Sequence, residues 1–420
     1  QLHVRNHLIY SLLMFPTMVI TFLAFFLRIF HLSTPKGLVF DEIYYVDGAR
    51  DYLKYGVEVT KGAPEFIVHP PVGKWLIAAG IKLFGNHEFG WRIAVAVAGT
   101  LTVYLTARIA QRIFHENKWA TLAALLMTLD GLNLVMSRTA LLDIFLTLFI
   151  LLAVNAWLKG KYLRFAIYLG LAMGSKWSAL YFVAAFLIVE LIINRNLIRT
   201  IRVGITSLGI YVLTWFGWFS SSLGWDRNSK SNPISSLIYY HKEMLGFHTG
   251  LTEKHSYQAN PWSWIIMGRP TSFFYESPKG CGSKSCAQEV LALGTPILWW
   301  LGAIALLVLI GVNLHNFAMR ELDMASLIPF LGIVAGYLPW FFFQKRTVFT
   351  FYAIAFEPFV ILAIVLLAKL AYEYDERMKY VIALAVIAIA INFIYFYPIF
   401  TGTITTYEAW YSRMWWSSWI

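Results

Sequence analysis

The chain contains eleven apolar runs that are long enough, or nearly long enough, to cross a lipid bilayer as helices. They lie at residues 8–30, 88–110, 119–136, 140–158, 162–175, 177–193, 200–219, 294–313, 324–343, 348–370 and 380–399. A transmembrane helix needs about 20 predominantly apolar residues, and the run at 162–175 is the shortest of the set. Because 59% of the residues are hydrophobic and only 14% are charged, a water-soluble domain is excluded. The sequence therefore predicts an all-α integral membrane bundle of about eleven transmembrane helices.

Basic residues are distributed unequally between the two ends of these runs. With a cytoplasmic N-terminus, the short inner turns carry thirteen, namely Arg108, Arg112, Lys118, Lys159, Lys161, Arg164, Arg195, Arg199, Arg202, Arg320, Lys369, Arg377 and Lys379. The short outer turns carry only Arg138, Lys176, Lys345 and Arg346. Cytoplasmic loops are enriched in Lys and Arg, so this asymmetry predicts a multi-pass cell-membrane protein with its C-terminus outside the cytoplasm. The net charge of +11 then reflects topology and contact with anionic membrane lipids, and no nucleic-acid partner is predicted.

Two long segments, at about 31–87 and 220–293, fall on the outer side in this topology. Short interfacial helices are predicted within them at 44–55, 72–84 and 234–245. The only two cysteines of the chain, Cys281 and Cys286, lie in the second segment. An oxidising compartment favours a disulfide between them, and two free thiols are the alternative. Neither segment looks long enough to fold alone, so residues 1–420 are expected to form one membrane domain.

Two adjacent acids, Asp41 and Glu42, follow the first apolar run after about ten residues. An ionisable residue at the boundary of the membrane is by default a candidate for a functional site. The alternative is that Asp41 only caps the N-terminus of the helix that follows, a position that Asp favours. The two interpretations do not exclude each other.

Several basic residues converge on the membrane face that carries these acids: Arg92, Arg138, Lys176 and Arg346. Cations at a lipid–water boundary can hold a phosphate, and Arg can do so with two parallel hydrogen bonds. The alternatives are extension of these side chains toward lipid headgroups, or ion pairing with Asp130 and Asp143 inside the bundle. An acid that deprotonates a hydroxyl, next to cations that hold a phosphate, indicates transfer of a glycosyl group from a phosphate-linked membrane lipid. The chain has no nucleotide-binding motif and no Cys/His spacing typical of zinc, so no metal site is predicted.

Six motifs in one order resemble those of the protein O-mannosyltransferases, which are membrane-embedded glycosyltransferases of the GT-C type. They are Asp41-Glu42, His69-Pro70-Pro71-x-x-Lys74, Gly90-Trp91-Arg92, Leu129-Asp130-Gly131, Ser137-Arg138 with Leu142-Asp143, and Gly174-Ser175-Lys176-Trp177. The stretches Asn260-Pro261-Trp262-Ser263-Trp264 and Gly268-Arg269-Pro270 resemble the actinobacterial members most. The second outer segment, of about 70 residues, is too short for the β-trefoil domain that the eukaryotic members carry there.

The resemblance implies a polyprenyl-phosphate-mannose donor and, as acceptors, Ser or Thr hydroxyls of secreted or membrane proteins delivered by the secretion machinery. It implies an inverting single displacement, with Asp41 as general base and Glu42 orienting the sugar or the acceptor. Arg92, Arg138, Lys176 and Arg346 would lie at the donor phosphate, and no metal or other cofactor would be required. The residues expected near the sugar or the acceptor are His69, Lys74, Asp143 and Trp262.

Two alternative functions remain open from the sequence. One is a related transferase that uses another lipid-linked sugar, or a lipid or glycan as acceptor. The other is a transporter of lipid-linked sugar, which the absence of an internal repeat in the sequence disfavours.

Overall fold

The structure is a computed structural model that describes residues 14–59 and 68–420. The start of the first predicted span and residues 60–67 therefore lie outside the described residues. The α-helices up to the long second segment are α1 (Phe15–Ile29), α2 (Glu42–Tyr55), α3 (Val72–Phe84), α4 (Glu88–Phe114), α5 (Asn117–Thr128), α6 (Gly131–Met136), α7 (Asp143–Trp157), α8 (Tyr162–Ser175), α9 (Ala179–Asn194), α10 (Leu197–Leu213) and α11 (Phe216–Ser220). Those that follow are α12 (Pro233–Gly250), α13 (Pro296–Met319), α14 (Met324–Tyr337), α15 (Glu357–Tyr374), α16 (Met378–Thr401) and α17 (Tyr407–Tyr411).

Each of the predicted apolar runs contains a helix within the described residues. By length and composition, four helical segments there could cross a membrane: α4, α13, Met324–Phe343 and α16. Three further apolar helices, α1, α7 and α9, are shorter. The chain is thus built as a multi-pass membrane protein, and the number of eleven spans stays a prediction.

Two of the predicted spans are interrupted for identifiable reasons. Asp130 separates α5 from α6 because its carboxylate accepts a hydrogen bond from the backbone N–H of Asn133 and so caps α6. After α14, the backbone continues as a 3₁₀ helix over Leu338–Phe343, which begins at the Leu338-Pro339 step. Proline removes a backbone donor, which is consistent with a change of helix type at this point.

The interfacial helices α2, α3 and α12 form where the sequence predicts them, although α12 extends to Gly250, beyond the expected end. Helix α2 ends at Tyr55, and the next residue, Gly56, adopts the left-handed conformation with a φ of 73°. Helices α2 and α3 approach each other closely at Gly48. A Cβ atom built there would lie 3.1 Å from the Lys74 side chain and would clash with a carboxylate oxygen of Glu58. Glycine is therefore required for this packing.

A small antiparallel sheet, which the sequence pattern does not predict, begins after α12. Its strands are β1 (Thr271–Glu276), β2 (Cys286–Ala292) and β3 (Thr405–Thr406), in the order β1-β2-β3. A disulfide joins Cys281, in the connection between β1 and β2, to Cys286, the first residue of β2. The short β3 comes from the C-terminal part of the chain, so the sheet ties that part to the long segment at 220–293.

The burial of the long helices shows which of them form the interior. Of the 18 most apolar consecutive residues of α4, 72% are buried. The corresponding shares are only 28% in α13 and 22% in α16. Nearly every residue of α7 is buried as well. Helices α4 and α7 therefore lie at the centre, and α13 and α16 present apolar faces outward, as helices in contact with lipid do.

Candidate active site

A cavity of about 470 Å³ is lined by residues of α2, α12 and the segments between other helices. Asp41 contributes from the start of α2, Lys176 from the connection between α8 and α9, and Arg346 from the segment after α14. His69 and His248 line the same cavity. Glu253, Lys254 and His255 also line it. One concave site therefore combines carboxylates, cations and imidazoles, which are the polar groups expected in a binding or catalytic pocket.

Asp41 is held at the cavity by a strained backbone and a tyrosine. Phe40, the residue before it, has a φ of 50° and stacks on Phe273 with ring centroids 4.5 Å apart. Such a conformation in a residue other than glycine costs on the order of 1–3 kcal/mol and persists only where the surrounding structure enforces it. The Asp41 carboxylate accepts a hydrogen bond from the hydroxyl of Tyr45, and it makes no capping hydrogen bond to α2. The simple helix-cap interpretation therefore lacks its defining contact.

The environment of Asp41 changes its acidity. Burial raises the pKa of its carboxyl group to about 6. The positive charge of Lys176 lowers this pKa and the negative charge of Asp143 raises it, so the two neighbours act in opposite directions. Asp41 is thus an acid that exchanges its proton close to neutral pH, as a general base must.

Glu42 lies away from the cavity, fully buried, in a bidentate ion pair with Arg92. Its Oε1 accepts from Arg92 Nε at 2.8 Å and from Ala140 N at 2.8 Å. Its Oε2 accepts from Arg92 Nη2 at 2.9 Å and from Val39 N at 3.0 Å. With both oxygens occupied in this way, the placement gives no support to a direct contact between Glu42 and the substrate.

Arg92 is equally saturated. Besides its bonds to Glu42, the guanidinium donates to the carbonyl oxygens of Leu32, Pro35 and Gly37, so that all five of its N–H groups are used. The side chain is fully buried. The expected contact of Arg92 with a donor phosphate is therefore not supported by its position, which instead fixes the segment that leads into Asp41.

Arg138 also serves the protein backbone. Its Nη1 donates to the carbonyl oxygens of Leu27, Arg28 and Phe30, and its Nη2 donates to that of His31. These carbonyls belong to the last turn of α1 and the residues after it, where they have no partners within the helix and the helix dipole favours a cation. Arg138 does not line the cavity, so its expected role at the phosphate has no geometric support either.

Lys176 and Arg346 are the expected phosphate ligands that do reach the cavity. Lys176 Nζ lies 2.7 and 2.9 Å from the two carboxylate oxygens of Asp143, and 4.5 Å from the ring centroid of Tyr352. This contact is the ion pair with Asp143 that is the alternative to a phosphate contact for this lysine. Arg346 lies over the ring of Trp340, 5.8 Å from its centroid, and its Nε is buried without a hydrogen-bond partner. Within the described residues Arg346 forms no ion pair.

The residues expected near the sugar or the acceptor are divided by the structure. His69 lines the cavity. Asp143 lies next to the cavity, where it forms an ion pair with the lining residue Lys176. Lys74 is fully buried between α2 and α3 in an ion pair with Glu58. Trp262 is 69% exposed, contacts Phe341, and is not part of the cavity lining. His69 and Asp143 are therefore brought to the site, whereas Lys74 and Trp262 are not.

Most residues of the cavity lining are not among those that the sequence predicts for the site, and Tyr45, His248, Trp340 and Tyr352 are examples. A signal existed for Tyr45, because it follows Asp41 by one helical turn and so shares its face of α2. The others come from distant parts of the chain, and their single aromatic or imidazole side chains carry no motif that would have revealed them.

Two protein-family models match the chain. The one described as the C-terminal four TMM region of protein-O-mannosyltransferase matches residues 233–419, and the one described as dolichyl-phosphate-mannose-protein mannosyltransferase matches residues 68–225. Together they cover most of the chain, including the residues that line the cavity from His69 onward.

Two curated proteins named polyprenol-phosphate-mannose–protein mannosyltransferase are similar over most of their length. That of Mycobacterium tuberculosis is 31% identical, over 96% of this chain and 91% of its own. That of Corynebacterium glutamicum is 29% identical, over 92% of this chain and 89% of its own. Among solved structures, the Saccharomyces cerevisiae protein O-mannosyltransferase Pmt1-Pmt2 complex bound to the sugar donor matches with a TM-score of 0.79 at 17% identity. This match covers 97% of this chain and 92% of the yeast chain, and at this identity it shows the shared fold alone.

Proposed function

Because this chain belongs to the protein O-mannosyltransferase family, we propose that it transfers mannose from polyprenyl-phosphate-mannose to Ser or Thr hydroxyls of secreted or membrane proteins. Its fold is the GT-C glycosyltransferase bundle, as the match over nearly the whole chain confirms, and it is of the actinobacterial type. The observation that carries the proposal is that Asp41, Lys176 and Arg346 line one cavity.

In the proposed reaction Asp41 is the general base. As the acceptor hydroxyl oxygen attacks the anomeric carbon of the donor mannose, Asp41 takes the hydroxyl proton. The bond between the anomeric carbon and the phosphate oxygen breaks, and its electron pair leaves with polyprenyl phosphate. Attack opposite to the leaving group inverts the anomeric configuration. A pKa of about 6 keeps Asp41 ionised at neutral pH while leaving it basic enough to accept the proton.

Two of the cations that line the cavity, Lys176 and Arg346, act on the leaving group in this proposal. Phosphate departs as a stable anion, so it needs electrostatic stabilisation and no proton donor. Arg346 forms no ion pair in the described part of the chain and can present a guanidinium fork to two phosphate oxygens. Lys176 already forms an ion pair with Asp143, so its positive charge would stabilise the leaving phosphate less than that of Arg346. This division supports Arg346 as the principal phosphate ligand, Lys176 as a secondary one, and Arg92 and Arg138 as residues that hold the site's framework.

The excess of basic residues in the inner turns supports a cytoplasmic N-terminus and catalysis at the extracytoplasmic face of the cell membrane. Acceptor polypeptides would then arrive from the secretion machinery. That the reaction needs no metal stays a prediction from the sequence. A related transferase with another sugar or acceptor, or a transporter, remains the competing interpretation, although neither is favoured by a specific contact in the cavity.

The deciding experiment uses the purified full chain in detergent or nanodiscs with polyprenyl-phosphate-mannose, labelled in the sugar, and a Ser/Thr-containing peptide. We expect label on a peptide hydroxyl, in the anomeric configuration opposite to that of the donor. The same peptide with Ser and Thr replaced by Ala is the matched control. Turnover of a different lipid-linked sugar only, or movement of label across vesicles without transfer, would overturn the proposal.

A further inference from the structure

His69 and His248 form a pair of imidazoles in the wall of the cavity that the proposed mechanism does not use. Their ring centroids are 5.2 Å apart, and both residues line the cavity together with Asp41, Lys176 and Arg346. His69 follows the segment 60–67 and His248 lies in α12, so two distant parts of the chain supply the pair. Trp177 lies beside them, its ring centroid 5.9 Å from that of His248.

The hydrogen bonds of His248 define which of its nitrogens is free. Nε2 lies 2.7 Å from the backbone carbonyl oxygen of Val68. A carbonyl oxygen can only accept, so Nε2 carries the proton, and in the neutral ring Nδ1 is an acceptor. Nδ1 of His248 makes no hydrogen bond within the described residues, which leaves it open to a donor from a ligand.

His69 has the complementary arrangement. Its Nδ1 is buried and has no hydrogen-bond partner. A buried N–H without an acceptor is costly, so the proton of the neutral ring is better placed on Nε2, the nitrogen left for a ligand. The pair therefore offers one N–H donor and one nitrogen acceptor to the cavity.

The surroundings keep both rings uncharged near neutral pH. Burial, together with the charges of Lys176 and Arg346, lowers the pKa of His69 well below its usual value. The same causes, opposed by the hydrogen bond to the Val68 carbonyl, lower the pKa of His248 to about 4. Neutral imidazoles do not compete with Lys176 and Arg346 for a phosphate. They are instead suited to hydroxyl groups, which both donate and accept hydrogen bonds.

We propose that His69 and His248 bind hydroxyl groups of the transferred sugar and thereby determine which hexose the enzyme accepts. The proposal rests on the proposed function, since it requires a glycosyl donor whose phosphate lies at Arg346. The cavity would then be divided into a cationic part for the phosphate, a neutral part for the sugar hydroxyls, and Asp41 for the acceptor. Discrimination would arise because a donor lacking the matching hydroxyl leaves a buried imidazole nitrogen unpaired.

The test compares donors that differ by a single hydroxyl group. Polyprenyl-phosphate-mannose is compared with its singly deoxygenated analogues and with the glucose epimer, and kcat/KM is measured for each with the same Ser/Thr peptide. We expect His69→Phe and His248→Phe each to lower kcat/KM for the mannose donor by about tenfold or more, as for one lost hydrogen bond. For the one deoxy donor that lacks the contacted hydroxyl, the same variants should cause little further loss. The selectivity ratio, which is kcat/KM for the mannose donor divided by kcat/KM for the analogue, should therefore fall toward one for that analogue only.

His241→Phe is the matched control. His241 also lies in α12, but both of its ring nitrogens are engaged, with Tyr211 and with the carbonyl of Leu237, and it does not line the cavity. Its replacement should lower kcat/KM by the same factor for all donors, because it affects only protein stability, and the selectivity ratio should not change. If a phenylalanine variant fails to fold, His69→Asn and His248→Asn serve instead, since they retain a polar group and alter its geometry.

A ratio that stays at the wild-type value in the His69 and His248 variants would overturn the proposal. Failure of the proposed function looks different, because the wild-type protein would then not turn over the mannose donor at all. A wild-type enzyme that transfers mannose while its histidine variants keep full selectivity would refute this inference alone.

Discussion

Lys176 and Asp143 form an ion pair in which the ammonium lies 2.7 and 2.9 Å from the two carboxylate oxygens, directly beside the cavity that Asp41 lines. Both partners act on Asp41, with Lys176 lowering its pKa and Asp143 raising it. The pair therefore delivers less positive charge to Asp41 than a free lysine would. This compensation is consistent with the pKa of Asp41 remaining near 6 although a cation lies close by.

Replacement of Asp143 by Asn should lower the pKa of Asp41. The change removes the negative charge that raises this pKa and frees the charge of Lys176, which lowers it. Because the base must be ionised, the acid side of the kcat/KM profile should move to lower pH. Profiles of wild type and Asp143→Asn, measured with labelled donor and peptide, test this. A shift to higher pH would contradict the electrostatic relation.

For the wild-type enzyme, kcat/KM should rise with pH through about 6 and then level off. Asp41 has a folded-state pKa raised above its usual value of 3.8, so it is protonated and inactive as a base at pH 5 and ionised at pH 7. His69 and His248 titrate at lower pH and should not set this limb. The Asp41→Asn variant is the control, because its residual activity should lack the limb.

The raised pKa also has a consequence for stability. Between the unfolded pKa and about 6 the folded state binds more protons, so the contribution of Asp41 to stability falls as pH rises through this range. Above it the buried carboxylate is a net cost. The melting temperature of Asp41→Asn should therefore exceed that of wild type at pH 7.5 and approach it at pH 4. If the two melting temperatures differed by the same amount at pH 7.5 and at pH 4, Asp41 would not titrate as described.

Much of the fold follows from the sequence because membrane helices need long apolar runs, and such runs are visible directly. The ends of α3 at Val72 and Phe84 are marked by Pro70-Pro71 and Gly85. The sheet of β1, β2 and β3 could not be predicted in the same way. Its strands lie among Gly, Pro and aromatic residues, and β3 has only two residues paired with a segment more than a hundred positions away.

The site was predicted less completely, because the sequence shows which charges are unusual but not which partner each one has. Asp41, Lys176, Arg346 and His69 face the cavity as a functional interpretation requires. Arg92, Arg138, Glu42 and Lys74 look equally unusual in the sequence, yet they bind the backbone or a buried partner of opposite charge in the interior. Burial and hydrogen-bond saturation distinguish the two groups, and both depend on the tertiary structure.

The buried pair of Glu42 and Arg92 should be needed for folding and not for chemistry. Loss of one partner leaves an uncompensated buried charge, which typically costs about 3–5 kcal/mol. Glu42→Gln and Arg92→Gln should therefore lower the melting temperature strongly. In the molecules that remain folded, the donor KM should stay close to that of wild type. A normal melting temperature combined with a large rise in donor KM would instead place the pair at the phosphate.

Arg346 and Arg138 provide a matched comparison of two arginines on the same face. Arg346 lines the cavity without an ion pair in the described chain, whereas Arg138 caps the end of α1. Arg346→Ala should raise the donor KM more than tenfold with little change in melting temperature. Arg346→Lys should restore it only in part, since the forked geometry is lost. Arg138→Ala should do the reverse and lower stability more than donor affinity. Equal effects of the two substitutions on donor KM would contradict the assignment.

The strongest prediction concerns Asp41 itself. Removal of a positioned general base typically slows a reaction by a factor of about 10²–10⁴. Asp41→Asn keeps the size of the side chain, and we expect kcat to fall by about this factor while donor binding survives, because the cations that hold the phosphate are unchanged. Activity is measured with labelled donor and a Ser/Thr peptide, and donor binding separately by protection against thermal unfolding. The cap interpretation gives the opposite result, because Asn caps a helix as well as Asp does. An Asp41→Asn enzyme with near-normal turnover would therefore remove Asp41 from the chemistry and leave it a structural residue at the start of α2.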